Sequence, residues 1–283
     1  MDEQNLNILE RIHAFYYQLT ASERKVADFV LANHDRVQYM SITQLAEECG
    51  TADATISRFC RNLDLKGFNA FKLELALYSA GSQQKKRKTP TKDTTMGRCL
   101  EVGRLANDAV YQTMELLEPE QLIRAVEMFE GADRVLCIGS GGSLLMAQEF
   151  SHLFSTVTPK FVAIADAHMQ MSAVATCNKR DVLVLFSYSG ATTSGVEIMT
   201  LAKSRNIPTI VVTRYPKSPA AELADVVLRC GSNEGPYQFG SVAAKIAQLM
   251  VADFLFQEYC YRNREACEKN RLLIGAALSE FHI

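Results

Sequence analysis

Two short segments hold a dense set of hydroxyls and glycines in this 283-residue chain. The first follows the apolar run DVLVLF and reads Ser187-Tyr188-Ser189-Gly190-Ala191-Thr192-Thr193 before helical spacing resumes in VEIMTLAK. The second is Gly139-Ser140-Gly141-Gly142-Ser143, after the run RVLCI. A strand that ends in such a loop and passes into a helix presents free backbone N–H groups and the positive end of the helix dipole, a seat for an anion. Ser187, Ser189, Thr192 and Thr193 add hydroxyl donors, and Gly190 lets the backbone approach a ligand without a Cβ in the way. Ser140, Gly141, Gly142 and Ser143 offer the same chemistry from the other strand end. Ordinary helix capping needs one Ser or Thr. Two loops this rich go further and suit one phosphorylated molecule held between them. No basic residue lies in the Ser187–Thr193 loop, so charge compensation falls mostly to amides. The segment GSGGSL resembles a dinucleotide fingerprint only in part: its third glycine is missing and Asp166 is the sole candidate ribose acid. No Gly-Lys-Ser/Thr occurs, which excludes a P-loop.

A second constellation lies at residues 41–63, SITQLAEECGTADATISRFCRNL. Two short helical patterns flank a turn containing Gly50, the layout of a helix-turn-helix. At 100° per residue, Phe59, Cys60 and Leu63 fall within about 60° of Ile56 and make a buried stripe. Ala54, Thr55, Ser57, Arg58, Arg61 and Asn62 then take the outer surface. Those types read base edges or hold phosphates. Lys66 follows at the helix end as a candidate phosphate contact. The outer face of this helix is cationic, whereas the preceding one carries Glu47 and Glu48. The alternative is a plain helical bundle with a solvated face.

These residues need elements to position them. Before residue 80 the periodicity is helical throughout. TASE (Thr20–Glu23) and SITQ (Ser41–Gln44) are capping boxes, and the last helix is expected to bury Phe68, Phe71, Leu73, Leu75 and Leu77. Residues 80–95 are almost free of apolar side chains and hold Lys85, Lys86, Arg87 and Lys88 in a row, which reads as a linker, either a solvated connector or a phosphate contact. A helical stretch over about 96–130 follows. Then come RVLCIG, KFVAIA, DVLVLFS, PTIVVT and DVVLRC, five continuously apolar runs separated by helical spacers, the pattern of strands buried on both faces of a parallel sheet. The expected fold is an all-α N-terminal helix-turn-helix domain (1–79), a linker (80–95) and an α/β C-terminal domain (96–283). The last is an open five-stranded parallel sheet with helices on both faces, closed by a long helix, SVAAKIAQLMVADFLFQEYC.

Bulk properties narrow the classes. No apolar run approaches the ~20 residues needed to span a bilayer, and the acidic, amphipathic start MDEQNLNILERIHAF is no secretory signal, so a cytoplasmic protein with no membrane partner is expected. The eight cysteines contain no Cys-x-x-Cys and sit mostly in apolar runs, which argues for buried thiols and against a structural metal. No cofactor is expected. Residues 1–92 hold 13 basic and 11 acidic side chains in a chain of net charge −2, an asymmetry that permits a nucleic-acid surface.

Taken together, these motifs resemble the RpiR family of bacterial transcriptional regulators nearly end to end. LTASERKVADFVLAN resembles that family's opening helix pair. MSITQLAEECGTADATISRFCRNLDLKGFNAFKLEL resembles its helix-turn-helix, and CIGSGGS and FSYSGATTSGVEIMTLAK resemble the two ligand loops of its sugar isomerase (SIS) domain. The resemblance implies a double-stranded, palindromic DNA operator, a phosphosugar effector, and a homodimer or homotetramer. Two departures stand out: Gly50-Thr51-Ala52 precedes the recognition helix, making Thr51 a candidate cap, and Ala191 stands where the family often has Glu. An SIS fold also serves sugar-phosphate isomerases, which need a base to move a proton between adjacent carbons. The candidates are Glu234, which also lies near the expected ligand, with His152 and His168. No acid–base pair emerges, so no catalytic residue is assigned.

Overall fold

A computed structural model describes residues 7–86, 94–231 and 241–279. Asn7, Thr20 and Ser41 each cap a helix by accepting the backbone N–H of the third helical residue, while Glu10, Glu23 and Gln44 reach back to the cap. These boxes start α1 (Ile8–Phe15), α2 (Ala21–Val37) and α3 (Ile42–Glu48). After α3, Gly50 takes φ 61°, and the Thr51 N–H closes on the Ala46 carbonyl at 2.8 Å, a left-handed stop that glycine accommodates. Then α4 (Asp53–Asn62) and α5 (Phe68–Lys86) follow. Ile56, Phe59, Cys60 and Leu63 are fully buried with Val26, Val30, Leu45, Phe71 and Leu75, and Phe59 meets Phe71 edge-on at 5.5 Å.

Two expectations for this part are corrected. Leu77 is exposed and Leu73 only half-buried, because α5 turns one stripe inward through Phe71 and Leu75. The backbone of 80–86 continues α5 rather than opening a linker, consistent with the good helix propensity of its Gln and Lys residues. Residues 87–93, including Arg87 and Lys88, lie outside the described residues, as does Glu234.

The chain divides into two compact units: the α1–α5 bundle with residues 94–103, and residues 104–231 with 241–279. The helical stretch expected over about 96–130 consists of two helices, α6 (Thr95–Leu116) and α7 (Pro119–Gly131), because Pro119 at the first helical position starts a new segment. The strands are β1 (Val135–Gly139), β2 (Phe161–Ala163), β3 (Val182–Phe186), β4 (Thr209–Thr213) and β5 (Val226–Arg229). All are parallel, in the order β2-β1-β3-β4-β5. The crossovers are α8 (Gly142–Ser155), α9 (Ala167–Thr176), α10 (Thr193–Ser204) and α11 (Pro219–Leu223). Every residue of β1, β3 and β4 is buried, as continuous apolar runs require. One face packs Cys137, Val184, Phe186 and Val212 against Phe129, Phe150, Val251 and Leu255; the other packs Leu136, Leu185 and Val211 against Val174, Ile198 and Ala220. The closing helix is α12 (Val242–Arg262), and α13 (Arg264–Ser279) follows it.

Candidate functional site

The strand order reverses between β1 and β3. In an open parallel sheet, the crevice at such a switch point, outside the carboxyl ends of the strands, is where ligands bind. The two hydroxyl–glycine loops lie at those two ends. β1 and β3 pair in register from Val135↔Val182 to Gly139↔Phe186. Just before their first residues, the Arg134 guanidinium donates two hydrogen bonds, 3.2 and 2.9 Å, to the buried Asp181 carboxylate. Arg134 holds that carboxyl below the usual range, a partnership that locks the pair at one end and so fixes the loops at the other.

The β1 loop turns through Gly141 at φ 55°. Gly139 passes so close to α8 that a Cβ there would lie 2.6 Å from the Ser143 carbonyl oxygen. The loop is tied from beneath by Gln170, 2% exposed, whose amide donates to the Gly139 carbonyl at 3.0 Å and the Ile164 carbonyl at 2.7 Å. Helix α8 begins with Gly142 after Gly141, so no side chain caps it. Ser140 is exposed and Ser143 half-buried.

The β3 loop is held by its own hydroxyls. Ser187 is buried; its Oγ accepts the Gly190 N–H at 3.2 Å and lies 3.1 Å from Thr192 Oγ1. Thr192 is the N-cap of α10 in position, but its hydroxyl faces Ser187 instead of capping the helix. Ser189 and Thr193 are exposed. Gly190, at φ 60°, fits against the loop after β4, where a Cβ would stand 1.9 Å from Ser218 Oγ. Ser187 and Gly190 are therefore shaped into the loop, with the Ser187 hydroxyl turned toward the Gly190 N–H and the Thr192 hydroxyl.

The structure joins the loops through a residue the sequence reading passed over. Ser194, in the first turn of α10, places its Oγ 3.2 Å from Ser140 Oγ. Its signal was its position, one turn into a helix that follows a hydroxyl loop. Two helix N-termini thus start side by side without side-chain caps. By contrast, α1, α2, α3, α9 and α12 are capped by Asn7, Thr20, Ser41, Asp166 and Ser241. The uncapped α7 and α11 carry Pro in the first turn, which removes an orphan donor. Asp166, the candidate ribose acid, is spent on capping α9. Of the candidate bases, His168 is exposed in the first turn of α9, after β2. His152 lies on α8 beside Glu149 at 3.5 Å with its side chain 73% exposed. No group of three or more His, Cys, Asp or Glu suited to a metal occurs among the described residues.

In the N-terminal unit, Ala54, Arg58 and Arg61 on α4 are exposed, Ser57 is half-buried beside them, and Lys66 is exposed just beyond. On the wheel they span about 100°, opposite the Ile56 stripe. One expected member is corrected, and Asn62, though exposed, is engaged within the unit. Thr55 is buried, because it lies one turn before Phe59 and about 40° from it, on the shoulder of the core stripe. The Asn62 amide donates at 3.0 Å to Glu23, itself buried in the α2 capping box, so Asn62 ties the end of α4 to the start of α2. Arg11 adds a bond at 3.2 Å to the Leu63 carbonyl at the same helix end. Thr51 does not cap α4: the N-cap is Ala52, and the Thr51 hydroxyl is buried without a partner. The exposed start of α4 therefore keeps its N–H groups unsatisfied by any side chain. Asp53 accepts a hydrogen bond from Thr43 at 3.2 Å and sets α4 against α3.

Comparison with known proteins agrees with both halves. Residues 6–82 match the helix-turn-helix domain of the rpiR family, and residues 128–257 match the SIS domain. A helix-turn-helix transcriptional regulator of Caldanaerobacter subterraneus is 34% identical over 251 residues, covering 88% of this chain and 89% of its own. The regulator HexR of Escherichia coli is 28% identical over 279 residues, covering 97% and 95%. The solved structure of Vibrio vulnificus NanR in complex with ManNAc-6P superposes with a TM-score of 0.88 at 25% identity, covering 98% of this chain and 100% of that one. Among the described residues no helix is long and apolar enough to cross a membrane. With an arginine-bearing helix-turn-helix in one unit and paired, uncapped helix starts at the switch point of the other, the chain belongs to the RpiR family of DNA-binding transcriptional regulators with an SIS domain.

Proposed function

We propose that this regulator binds a phosphorylated sugar at the switch point of its SIS domain and thereby alters its affinity for a palindromic double-stranded operator held by two copies of the chain. One observation carries the ligand reading: the uncapped N-termini of α8 and α10 are bridged by Ser140 and Ser194 at 3.2 Å. Their first-turn amides, with the Ser140, Ser143, Ser187, Ser189, Thr192 and Thr193 hydroxyls and the Gly141–Gly142 and Gly190 backbone, suit a phosphate that must be neutralised by dipoles rather than by a cation. That NanR is complexed with ManNAc-6P supports the same ligand class here. Glu234 belongs to this reading as a candidate contact to the sugar hydroxyls.

Ala54, Ser57, Arg58 and Arg61 form the base-reading face, with Lys66 and the open start of α4 on phosphates. The working division is a reading head over 1–79, a connector over 80–95 whose first residues, 80–86, are the end of α5, and a sensor over 96–283. Ligand binding favours one arrangement of sensors, and that arrangement resets the spacing of the heads, which must match half-sites about 34 Å apart or a multiple of it. A coupling of about 1–3 kcal/mol changes operator affinity about 5- to 150-fold. The sensor is read as regulatory and not catalytic, since His152 and His168 form no acid–base pair at the loops.

A thermal-shift panel of sugar phosphates, ManNAc-6P among them, tests the sensor: a specific ligand raises the melting temperature by mass action. Ser189→Ala with Thr192→Ala should remove that shift while operator affinity without ligand stays unchanged; a normal shift in the double variant refutes the site. Turnover of an aldose phosphate that disappears in Glu234→Gln would replace the sensor with an isomerase.

A further inference from the structure

The outward face of α4 begins earlier than its cations suggest. Asp53 is the first residue of α4 and half-buried, between the exposed Ala52 and Ala54. On the wheel it lies about 40° from Ser57 and about 80° from Arg61, so it continues that face to the helix start. In a helix-turn-helix the N-terminal residues of the second helix are the ones that meet base edges. The Thr43 hydroxyl of α3 donates to Asp53 Oδ2 at 3.2 Å and fixes the side chain. Among the described residues no other donor and no cation meets either oxygen. Glu48 on α3, by contrast, is paired with Arg36, and Glu23 on α2 is engaged by its capping box and Asn62.

A carboxylate accepts hydrogen bonds and donates none. Carried among phosphates it is repelled, so its place in a groove must be matched by a donor on a base edge. In the major groove two bases show such a donor, the exocyclic amino groups of cytosine and adenine. Adenine sets its N7 acceptor beside that group, while guanine and thymine present acceptors without an amino group. Each of those acceptors opposes a carboxylate. Cytosine shows its N4 amino group with no acceptor of its own beside it. Asp53 therefore discriminates by repulsion as well as by attraction.

We infer that Asp53 reads a cytosine through its free oxygen and the base N4 amino group, with Thr43 as the residue that positions it. This contact depends on the proposal that α4 enters the groove. A carboxylate at a helix start also favours the helix dipole, but that role is blind to DNA sequence, so base preference separates the two. The test is selection of binding sites by the full-length protein from a library of randomised DNA duplexes. Wild type should select cytosine at one position of the half-site by at least about fivefold. Asp53→Asn keeps an acceptor for Thr43, so it should melt near wild type. Its amide matches adenine N6 and N7, so that position should change from cytosine to adenine. Asp53→Ser removes both the charge and the reach, and should leave that position without preference. Thr43→Val frees the carboxylate to rotate, which should weaken the cytosine preference without replacing the base. Asp53→Asn and Asp53→Ser proteins that select the wild-type site, at whatever affinity, overturn the assignment and leave Asp53 to the helix dipole. Arg58→Ala keeps the two failures apart. If it loses its own base preference while the Asp53 variants keep theirs, α4 stays in the groove and only the cytosine contact falls. If it too selects the wild-type site, α4 is not the reading helix and the contact falls with it.

Discussion

The contact between Gly190 and Ser218 offers a sharp test of how the β3 loop is built. In Gly190→Ala the new Cβ would stand 1.9 Å from Ser218 Oγ, 2.5 Å from Ser218 Cβ and 3.1 Å from Thr213 Oγ1. Ser218 and Thr213 are both fully buried, so neither side chain has a solvent-facing escape. Two costs add. An L-residue at φ 60° costs roughly 1 kcal/mol, and overpacking a buried contact costs about 1–3 kcal/mol. The sum is about 3 kcal/mol, which lowers the melting temperature of a unit this size by about 6–12 °C. If the loop relieves the clash by moving, the α10 amides move with it and phosphosugar binding is lost as well. The second arm is Ser218→Gly, which removes both of the nearest atoms. In that background Gly190→Ala should cost only the backbone strain, so the double-mutant cycle yields a coupling of about 1–3 kcal/mol. The assays are urea unfolding followed by circular dichroism, and calorimetric titration with the ligand found by thermal shift. Gly190→Ala with wild-type stability and binding would refute the packing argument, and so would a cycle with no coupling.

Other expectations follow from single contacts. Arg58→Ala should cost about 1–3 kcal/mol of operator discrimination, checked by footprinting; an unchanged footprint excludes α4 as the reading helix. Lys66→Ala should weaken all DNA sequences alike and lower the slope of log affinity against log salt by about 1, measured by fluorescence anisotropy over a salt series. Asn62→Ala leaves Glu23 without its amide donor, so it should cost about 1 kcal/mol of stability with base preference unchanged; altered base preference would return Asn62 to the reading face. The Asp181 carboxyl is depressed by Arg134. Its contribution is therefore complete above the unfolded carboxylate value of about 3.9 and fades as pH falls through the lower folded value. Asp181→Asn should make acid unfolding less steep below pH ~4, followed by circular dichroism; an unchanged acid transition removes Asp181 from that account.

Much of the fold was written in local pattern. The capping boxes at Thr20 and Ser41, the buried stripe of α4 and the five apolar runs are short-range signals, set by hydrogen-bond reach along a few residues and by the period of side-chain burial, and the elements formed where they pointed. The two hydroxyl–glycine loops were legible as strand–helix junctions for the same reason: glycine and hydroxyl content at such a junction is a local property.

The roles of individual site residues were another matter. Whether Thr55 faces outward depends on how far the core reaches around α4, and whether Asn62 is free depends on Glu23, thirty-nine residues earlier. Ser187 is turned toward Gly190 and Thr192 by the fold of its loop, and Ser194 gained its place because β1 pairs with β3 and carries Ser140 alongside. Sequence by itself determined the elements, their order and the chemistry placed at their ends, since these follow from neighbours in the chain. Only the tertiary structure decided which hydroxyls and amides remain free to bind, because each is claimed or released by a partner distant in sequence.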